Sequence, residues 1–458
     1  MERPRTKTIF VCQECGRESP RWLGRCPQCQ QWNSLVETQA SPPATRRDLS
    51  PLEPPRELAQ IAAGVYPRLC LPLAEFDRVL GGGIVPGSSV LIGGDPGIGK
   101  STLLLQVAAL AAQVGGKVVY ISGEESQHQV KLRADRLGIT GHDIYLLAET
   151  DLEAILQHLE KLSPVLAIID SIQTMQTEME APPGSPAQVR ECTIRLVHWA
   201  KASNIPVLIA GHVTKDGAIA GPRLLEHMVD VVLYLEGEPF GSYRLLRGVK
   251  NRFGSTNEVG VFEMASQGLV EVNNPSLAFL SRRQPGAVGS VVLSTLEGTR
   301  PLLVEVQALT TVTSFNLPRR TANGVDFNRL LLVAAVLSKR LGLPLSNQDI
   351  ILNVVGGLTI NEPAADLGIA LAIASSCRDA PVDPDLAVAG EVGLSGELRP
   401  VPQLERRLAE AARLGLKRFL VAAGSRPPAG PGIEVVEAAS LRQALKVGLL
   451  SRKSNAQE

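Results

Sequence analysis

The tightest constraint on the fold is one short run, Gly94-Asp95-Pro96-Gly97-Ile98-Gly99-Lys100-Ser101, which fits GxxxxGK[ST]. That pattern carries meaning only where a strand ends and a helix begins. Here SSVLIGG leads into it, and a helical pattern runs from Lys100 to Val114 before Gly115-Gly116 stops it. In that setting the glycines let backbone N–H groups face phosphates, and the helix N-terminus adds a favourable dipole. Lys100 is expected to reach the β- and γ-phosphates, and Ser101 to coordinate Mg²⁺. The expected nucleotide-binding set is Gly94, Asp95, Pro96, Gly97, Ile98, Gly99, Lys100, Ser101 and Thr102.

From about Tyr66 to about Val270, short β-branched runs alternate with amphipathic helical patterns. KVVYI, VLAIID, IPVLIAG and VDVVLYL are buried-strand candidates, so a parallel, helix-covered sheet is predicted. Right-handed crossover logic puts KVVYI beside the loop strand. Asp170 ends VLAIID, where a carboxylate can hold the Mg²⁺ shell. Glu124 and Glu125 follow KVVYI, where one carboxylate can orient and deprotonate the attacking water. Glu124 is the first choice, but spacing alone does not separate the two. His212 follows IPVLIAG at a strand tip, and is read either as a sensor of the γ-phosphate or as a structural histidine. Lys250-Asn251-Arg252-Phe253-Gly254 ends the strand YRLLRGV. Cations there can complete a neighbouring subunit's site, or simply form a solvated basic turn.

Four of the seven cysteines lie near the N-terminus, as Cys12-x2-Cys15 and Cys26-x2-Cys29. Two such knuckles supply a tetrahedral thiolate shell for Zn²⁺, with no open position, so the site is expected to be structural. Residues 1–36 are too few to bury a core unaided. Residues 37–65 are read as a linker, because the stretch 37–58 holds five prolines and little apolar periodicity. Residues 66–272 form the ATPase region. The pattern restarts after Asn273-Asn274-Pro275-Ser276, so 273–450 is read as an α+β domain and 451–458 as a disordered tail. Its expected helices are Asp326–Leu341 and Ala364–Ser376.

Composition limits the rest. Hydrophobic residues make up 44%, which excludes global disorder. The 46 basic and 46 acidic residues cancel, so a nucleic acid must be met by a local patch rather than an overall field. No apolar run approaches the ~20 residues that span a bilayer, and the N-terminus lacks a secretory h-region. A cytoplasmic protein without a membrane partner is expected.

Taken together, CxxC…CPxC with Trp32, LGGGIVPGSSVLIGGDPGIGKST, YISGEES, IIDSIQT, GHVTKDGAIAGPRLLEHMVD and KNRFG resemble the RadA (Sms) family of bacterial DNA repair proteins over essentially the whole chain. The resemblance implies an α/β fold: a RecA-like P-loop ATPase core, an N-terminal C4 zinc ribbon and a C-terminal Lon-protease-like domain. It implies a homohexameric, helicase-like, DNA-dependent ATPase acting on single-stranded and branched DNA. Such a motor promotes branch migration and strand-exchange extension in recombinational repair, beside the recombinase RecA and other replication and repair proteins. ATP, Mg²⁺ and Zn²⁺ are the implied cofactors. Carried onto this sequence, Lys100 and Ser101 bind nucleotide and Mg²⁺, Asp170 is the Walker B carboxylate and Glu124 the catalytic carboxylate. Lys250 and Arg252 belong to the family's own motif, His212 senses the γ-phosphate, and Lys215 and Arg223 flank a channel-facing loop. The last domain departs from active Lon proteases. Asp366 stands where they carry the serine nucleophile, and Glu405 lies near the position of their lysine, so a Ser–Lys dyad cannot form. The expectation is a proteolytically dead platform for oligomerisation and DNA, with Arg282-Arg283, Arg319-Arg320 and Arg406-Arg407 as candidate phosphate contacts.

Overall fold

Short apolar runs of β-branched residues dominate the middle of the chain, and they pair as the alternation requires. The computed structural model describes residues 8–12, 15, 17–39, 57, 67–179, 181–211, 225–237, 242–280, 283–315, 317–426 and 432–450. His212, Lys215, Arg223, Arg282, the tail 451–458 and most of 40–66 lie outside the described residues. The chain divides into two compact units, one of which holds most of residues 1–236 and the other most of 271–458.

The N-terminal segment is a three-stranded antiparallel sheet, with β1 (Thr8–Cys12) between β2 (Glu18–Ser19) and β3 (Leu35–Gln39). Its core is three buried side chains, Cys12, Cys26 and Leu35, with Phe10, Cys15 and Leu23 packed against them. A core that small cannot offset the chain entropy of folding, so a metal staple has a physical reason to be there.

The ATPase region opens with α1 (Ala74–Leu80) and β4 (Ser89–Gly93), which leads through the phosphate loop into α2 (Lys100–Gly115). Then follow β5 (Val118–Ser122), α3 (Gln127–Arg136), β6 (Ile144–Ala148), α4 (Leu152–Leu162), β7 (Leu166–Asp170), α5 (Pro186–Ser203), β8 (Val207–Ala210) and β9 (Val231–Glu236). These strands are parallel, in the order β6-β5-β7-β8-β4-β9. The strands β10 (Tyr243–Asn251), β11 (Val259–Ala265) and β12 (Gly268–Glu271) continue the order past β9. Strands β4, β5 and β7 are buried at every position, as a sheet covered on both faces requires. One expectation needs correcting. KVVYI does not lie beside the loop strand, because β8 and β7 stand between β4 and β5. A 16-residue helix is about 24 Å long, enough to cross three strand spacings of ~4.8 Å.

The C-terminal unit is built on a seven-stranded mixed sheet, ordered β15-β16-β14-β13-β17-β20-β21. Its strands are β13 (Ser290–Glu297), β14 (Arg300–Val312), β15 (Arg320–Asn323), β16 (Gln348–Val354), β17 (Leu386–Val388), β20 (Arg418–Ala422) and β21 (Glu434–Ala438), while β18 (Glu391–Val392) and β19 (Leu398–Arg399) pair separately. The helices Phe327–Leu341, N-capped by Asp326, and Asp366–Arg378, entered through a 3₁₀ turn at Pro363–Ala365, share one core with the sheet. Helix Leu404–Arg413 packs through Leu404, Leu408 and Ala411 into a second core with Val292, Leu303 and Phe419.

Candidate functional site

The phosphate loop joins the end of β4 to α2, and its backbone explains its glycines. Gly94, Gly97 and Gly99 have φ of 149°, 77° and 115°, conformations that side-chain-bearing residues rarely adopt. A Cβ on Gly94 would also lie 2.5 Å from the Leu235 carbonyl oxygen. Lys100 is buried, and its Nζ donates to the Gly94 and Asp95 carbonyls at 2.7 and 3.0 Å. Burial lowers the Lys100 pKa, against the opposing fields of Asp170, Asp95 and Glu124. Asp170, Asp95 and Glu124 thus act electrostatically on the loop lysine, and a carboxylate beside the loop can hold the shell of a divalent cation.

Asp170 ends β7 and is nearly buried; Tyr120 Oη, two residues before the end of β5, donates to its Oδ2 at 2.5 Å. The register Ser122↔Asp170 sets the ends of β5 and β7 side by side. Glu124 and Glu125, which sequence left unseparated, have different surroundings. Glu125 is ion-paired with Arg133 of α3, whereas Glu124 Oε1 accepts from Ser171 Oγ at 2.5 Å. The Arg133 guanidinium thus holds Glu125, and the Ser171 hydroxyl bonds Glu124. The turn carrying it fits closely: a Cβ on Gly123 would lie 2.0 Å from Thr174 Oγ1.

The KNRFG segment is not at this end of the sheet. Strand register pairs Val90 with Val231, so Asp230 is level with Ser89, at the edge of β4 opposite the phosphate loop. Asp230 is buried; its Oδ2 accepts from Ser89 N at 3.1 Å and Ser89 Oγ at 2.8 Å, and its Oδ1 from Arg252 Nη1 at 3.1 Å. Lys250 Nζ donates to the carbonyls of Glu226 and Val229 at 2.7 and 2.8 Å. Asn251 Nδ2 donates to the Leu80 carbonyl, and Arg68 bridges the Gly81 and Phe253 carbonyls. The runs LGGG and KNRFG, distant in sequence, are thus tied together. Lys250 and Arg252 stand about 16 Å from their own phosphate loop, five residue steps at ~3.3 Å each. Tyr120, Ser171 and Asp230 were missed in the sequence. Only Asp230 left a signal there, an acid set directly before the apolar strand VVLYL.

The four N-terminal cysteine sulfurs all lie within 4.8 Å of one another, with Cys12–Cys29 at 3.5 Å and Cys15–Cys26 at 3.6 Å. A tetrahedral site with Zn–S bonds of ~2.3 Å has sulfur separations of ~3.8 Å, so the donor set fits zinc. The Cys29 backbone N–H lowers the Cys26 thiol to about 6, while burial pushes the Cys15 thiol up to about 12, so a bound metal is what would hold all four as thiolates. Trp22 and Trp32 are exposed on this segment, with the Arg25 guanidinium over the Trp32 ring.

In the C-terminal unit, Asp366 is 1% exposed and receives Arg329 Nη1 on both oxygens, at 2.7 and 2.8 Å, and the Val392 N–H at 3.2 Å. Glu405 is exposed. The arginine pairs divide sharply. Arg406 is exposed, but Arg407 is fully buried, ion-paired with Glu362 and bonded to the Ser294 and Pro402 carbonyls, so it is not a phosphate contact. Arg320 is spent on the Leu345 and Gln348 carbonyls, while Arg319 lies over the Phe315 ring. Among the described residues, no helix is long and apolar enough to cross a membrane.

Comparison with known proteins agrees with this arrangement. Family models match for an AAA domain at residues 69–218, a rubredoxin metal-binding domain at 10–37 and subunit ChlI of Mg-chelatase at 304–425. The fold is thus a RecA-like AAA core, a C4 zinc ribbon and a ChlI/Lon-like C-terminal domain, and the protein binds ATP and zinc. A solved KaiC-like protein of Pyrococcus horikoshii is a remote likeness, 19% identical over 45% of this chain and 99% of its own, with a TM-score of 0.39. The DNA repair proteins RadA of Bacillus subtilis and Halalkalibacterium halodurans are each 52% identical over 97% of this chain and 99% of their own length. That of Listeria monocytogenes is 52% identical over 92% and 93%. With its phosphate loop, cysteine quartet and KNRFG segment in place over that length, the chain belongs to the RadA family of DNA repair proteins.

Proposed function

We propose that this protein is a DNA-dependent ATPase of recombinational repair, working in the cytoplasm as a homohexameric, helicase-like motor on single-stranded DNA and extending strand exchange by branch migration. The observation that carries the reading is the position of Lys250 and Arg252. They stand at the strand ends opposite their own nucleotide, where an adjoining subunit's γ-phosphate is the site such cations can serve. Hydrolysis is then completed across a subunit boundary, and each subunit senses its neighbour's nucleotide.

Within one chain, Lys100 draws electron density from the β- and γ-phosphates, and the loop from Gly94 to Thr102 cradles them through backbone N–H groups. Ser101 and Asp170 are the residues that would hold Mg²⁺, which neutralises phosphate charge when bound. Glu124 takes the proton of the attacking water. His212, Lys215 and Arg223 are assigned to phosphate sensing and DNA contact on family grounds. The partners proposed are single-stranded and branched DNA and the recombinase RecA. A proteolytic role is not proposed, because Asp366, at the expected serine position, is committed to Arg329 and Glu405 lies near the position of the lysine that a Ser–Lys dyad needs.

The test is ATP turnover by the full-length protein with and without single-stranded oligothymidylate, beside Lys100→Ala. DNA should raise turnover severalfold in the native protein, and Lys100→Ala should abolish it. Equal turnover with and without DNA would refute the motor.

A further inference from the structure

We propose that Ser171 is a positioning residue for hydrolysis, its buried hydroxyl holding the Glu124 carboxylate toward the attacking water. The inference rests on the reading of Glu124 as the base, and goes beyond it by naming what aims that base. Ser171 has no solvent exposure, whereas Glu124 is exposed. The exposed carboxylate ends a chain of three rotatable bonds, and an unanchored side chain of that kind samples many rotamers. Ser171 Oγ, 2.5 Å from Glu124 Oε1, selects among them.

The donor is itself fixed. The Ser171 carbonyl accepts from Thr174 Oγ1 at 2.8 Å and from Thr174 N at 3.3 Å, which closes the turn. Gly123 N donates to the Asp170 carbonyl at 3.2 Å, and the Gly123 backbone packs against Thr174. The turn that carries the base and the turn that carries the serine are therefore one assembly. The kind of donor matters as much as its place. Glu125, the adjacent acid, is ion-paired with the Arg133 guanidinium of α3. The Ser171 hydroxyl is a neutral donor, so it orients Glu124 without itself adding a positive charge. Lys100 supplies the positive field nearby and Asp95 and Asp170 the negative one; neither depends on Ser171 Oγ.

The experiment uses the full-length protein with Mg-ATP and single-stranded oligothymidylate, and compares Ser171→Ala, Glu124→Ala and the double variant. Ser171→Ala should lower kcat roughly 10- to 100-fold, the scale of one lost hydrogen bond to a charged group, with KM within about twofold and Tm unchanged. Placed on Glu124→Ala, the same substitution should cause no further loss, because residues acting through one group are not additive. Ser171→Cys keeps the volume with a weaker donor and should fall between; if the alanine variant folds poorly, this variant carries the test. A native kcat in Ser171→Ala, or an equal loss in both backgrounds, overturns the proposal. Native turnover in Glu124→Ala instead overturns the base assignment beneath it, so the two failures are distinguishable.

Discussion

Arg406 and Arg407 are adjacent and chemically identical, yet the structure assigns them opposite fates, and replacing each with alanine tests that difference. Arg407 is fully buried and donates to Pro402 O at 3.0 Å, to Ser294 O at 2.8 Å and to the Glu362 carboxylate. Arg407→Ala strands a largely buried carboxylate and two carbonyls, and breaking a buried ion pair of this kind costs about 3–5 kcal/mol. The lower end is favoured, because Glu362 keeps the Leu296 N–H at 2.7 Å and the Thr295 hydroxyl at 3.1 Å. For a domain of this size each kcal/mol moves the melting point by roughly 2–4 °C. The C-terminal transition should therefore fall by roughly 6–20 °C. Arg406 makes one exposed bond to the Thr299 carbonyl, so Arg406→Ala should move it by less than about 2 °C. Differential scanning calorimetry of the full-length variants, with DNA binding measured beside it, decides the matter. If Arg407→Ala melts like the native protein but loses DNA affinity, the burial argument is wrong.

Other expectations follow from the same geometry. Glu124→Gln should lower ATP turnover by about 10²- to 10⁴-fold, whereas Glu125→Gln, which only weakens the tie to Arg133, should leave most of it; the reverse ranking in steady-state assays would exchange the two roles. Chelation should release one zinc per chain and unfold the ribbon. That change should be visible in the emission of Trp22 and Trp32, because the third tryptophan, Trp199, is buried in the ATPase core. Asp366→Ala should destabilise the C-terminal unit by about 3–5 kcal/mol by leaving Arg329 without its partner; a thermal melt within 1 °C of native would contradict that.

The alternation of strands and helices and the phosphate loop were legible in the sequence because both depend on local spacing. What spacing does not encode is which strands become neighbours. The order that inserts β8 and β7 between β4 and β5 is decided by the crossover of α2 over the sheet, and the sequence rule of adjacency failed there. The different partners of Glu124 and Glu125 come from Arg133, on the following helix, and from Ser171, almost fifty residues away. Asp230 joins Ser89 to Arg252 across gaps that no motif window spans. Arg407, by contrast, was readable in hindsight. Leu404, Arg407, Leu408 and Ala411 form the buried stripe of one helix at i, i+3, i+4 and i+7, and Arg406 lies off it.

The central claim is that hydrolysis at one subunit's Lys100 is completed by Lys250 and Arg252 of the next, and mixing two inactive variants tests it most directly. Lys100→Ala chains and Arg252→Ala chains, each nearly inactive alone, should regain DNA-stimulated ATP turnover when co-assembled. In such mixtures an intact loop on one subunit meets an intact arginine on the next. Mixtures no more active than their parts, or an Arg252→Ala protein as active as native, would contradict it.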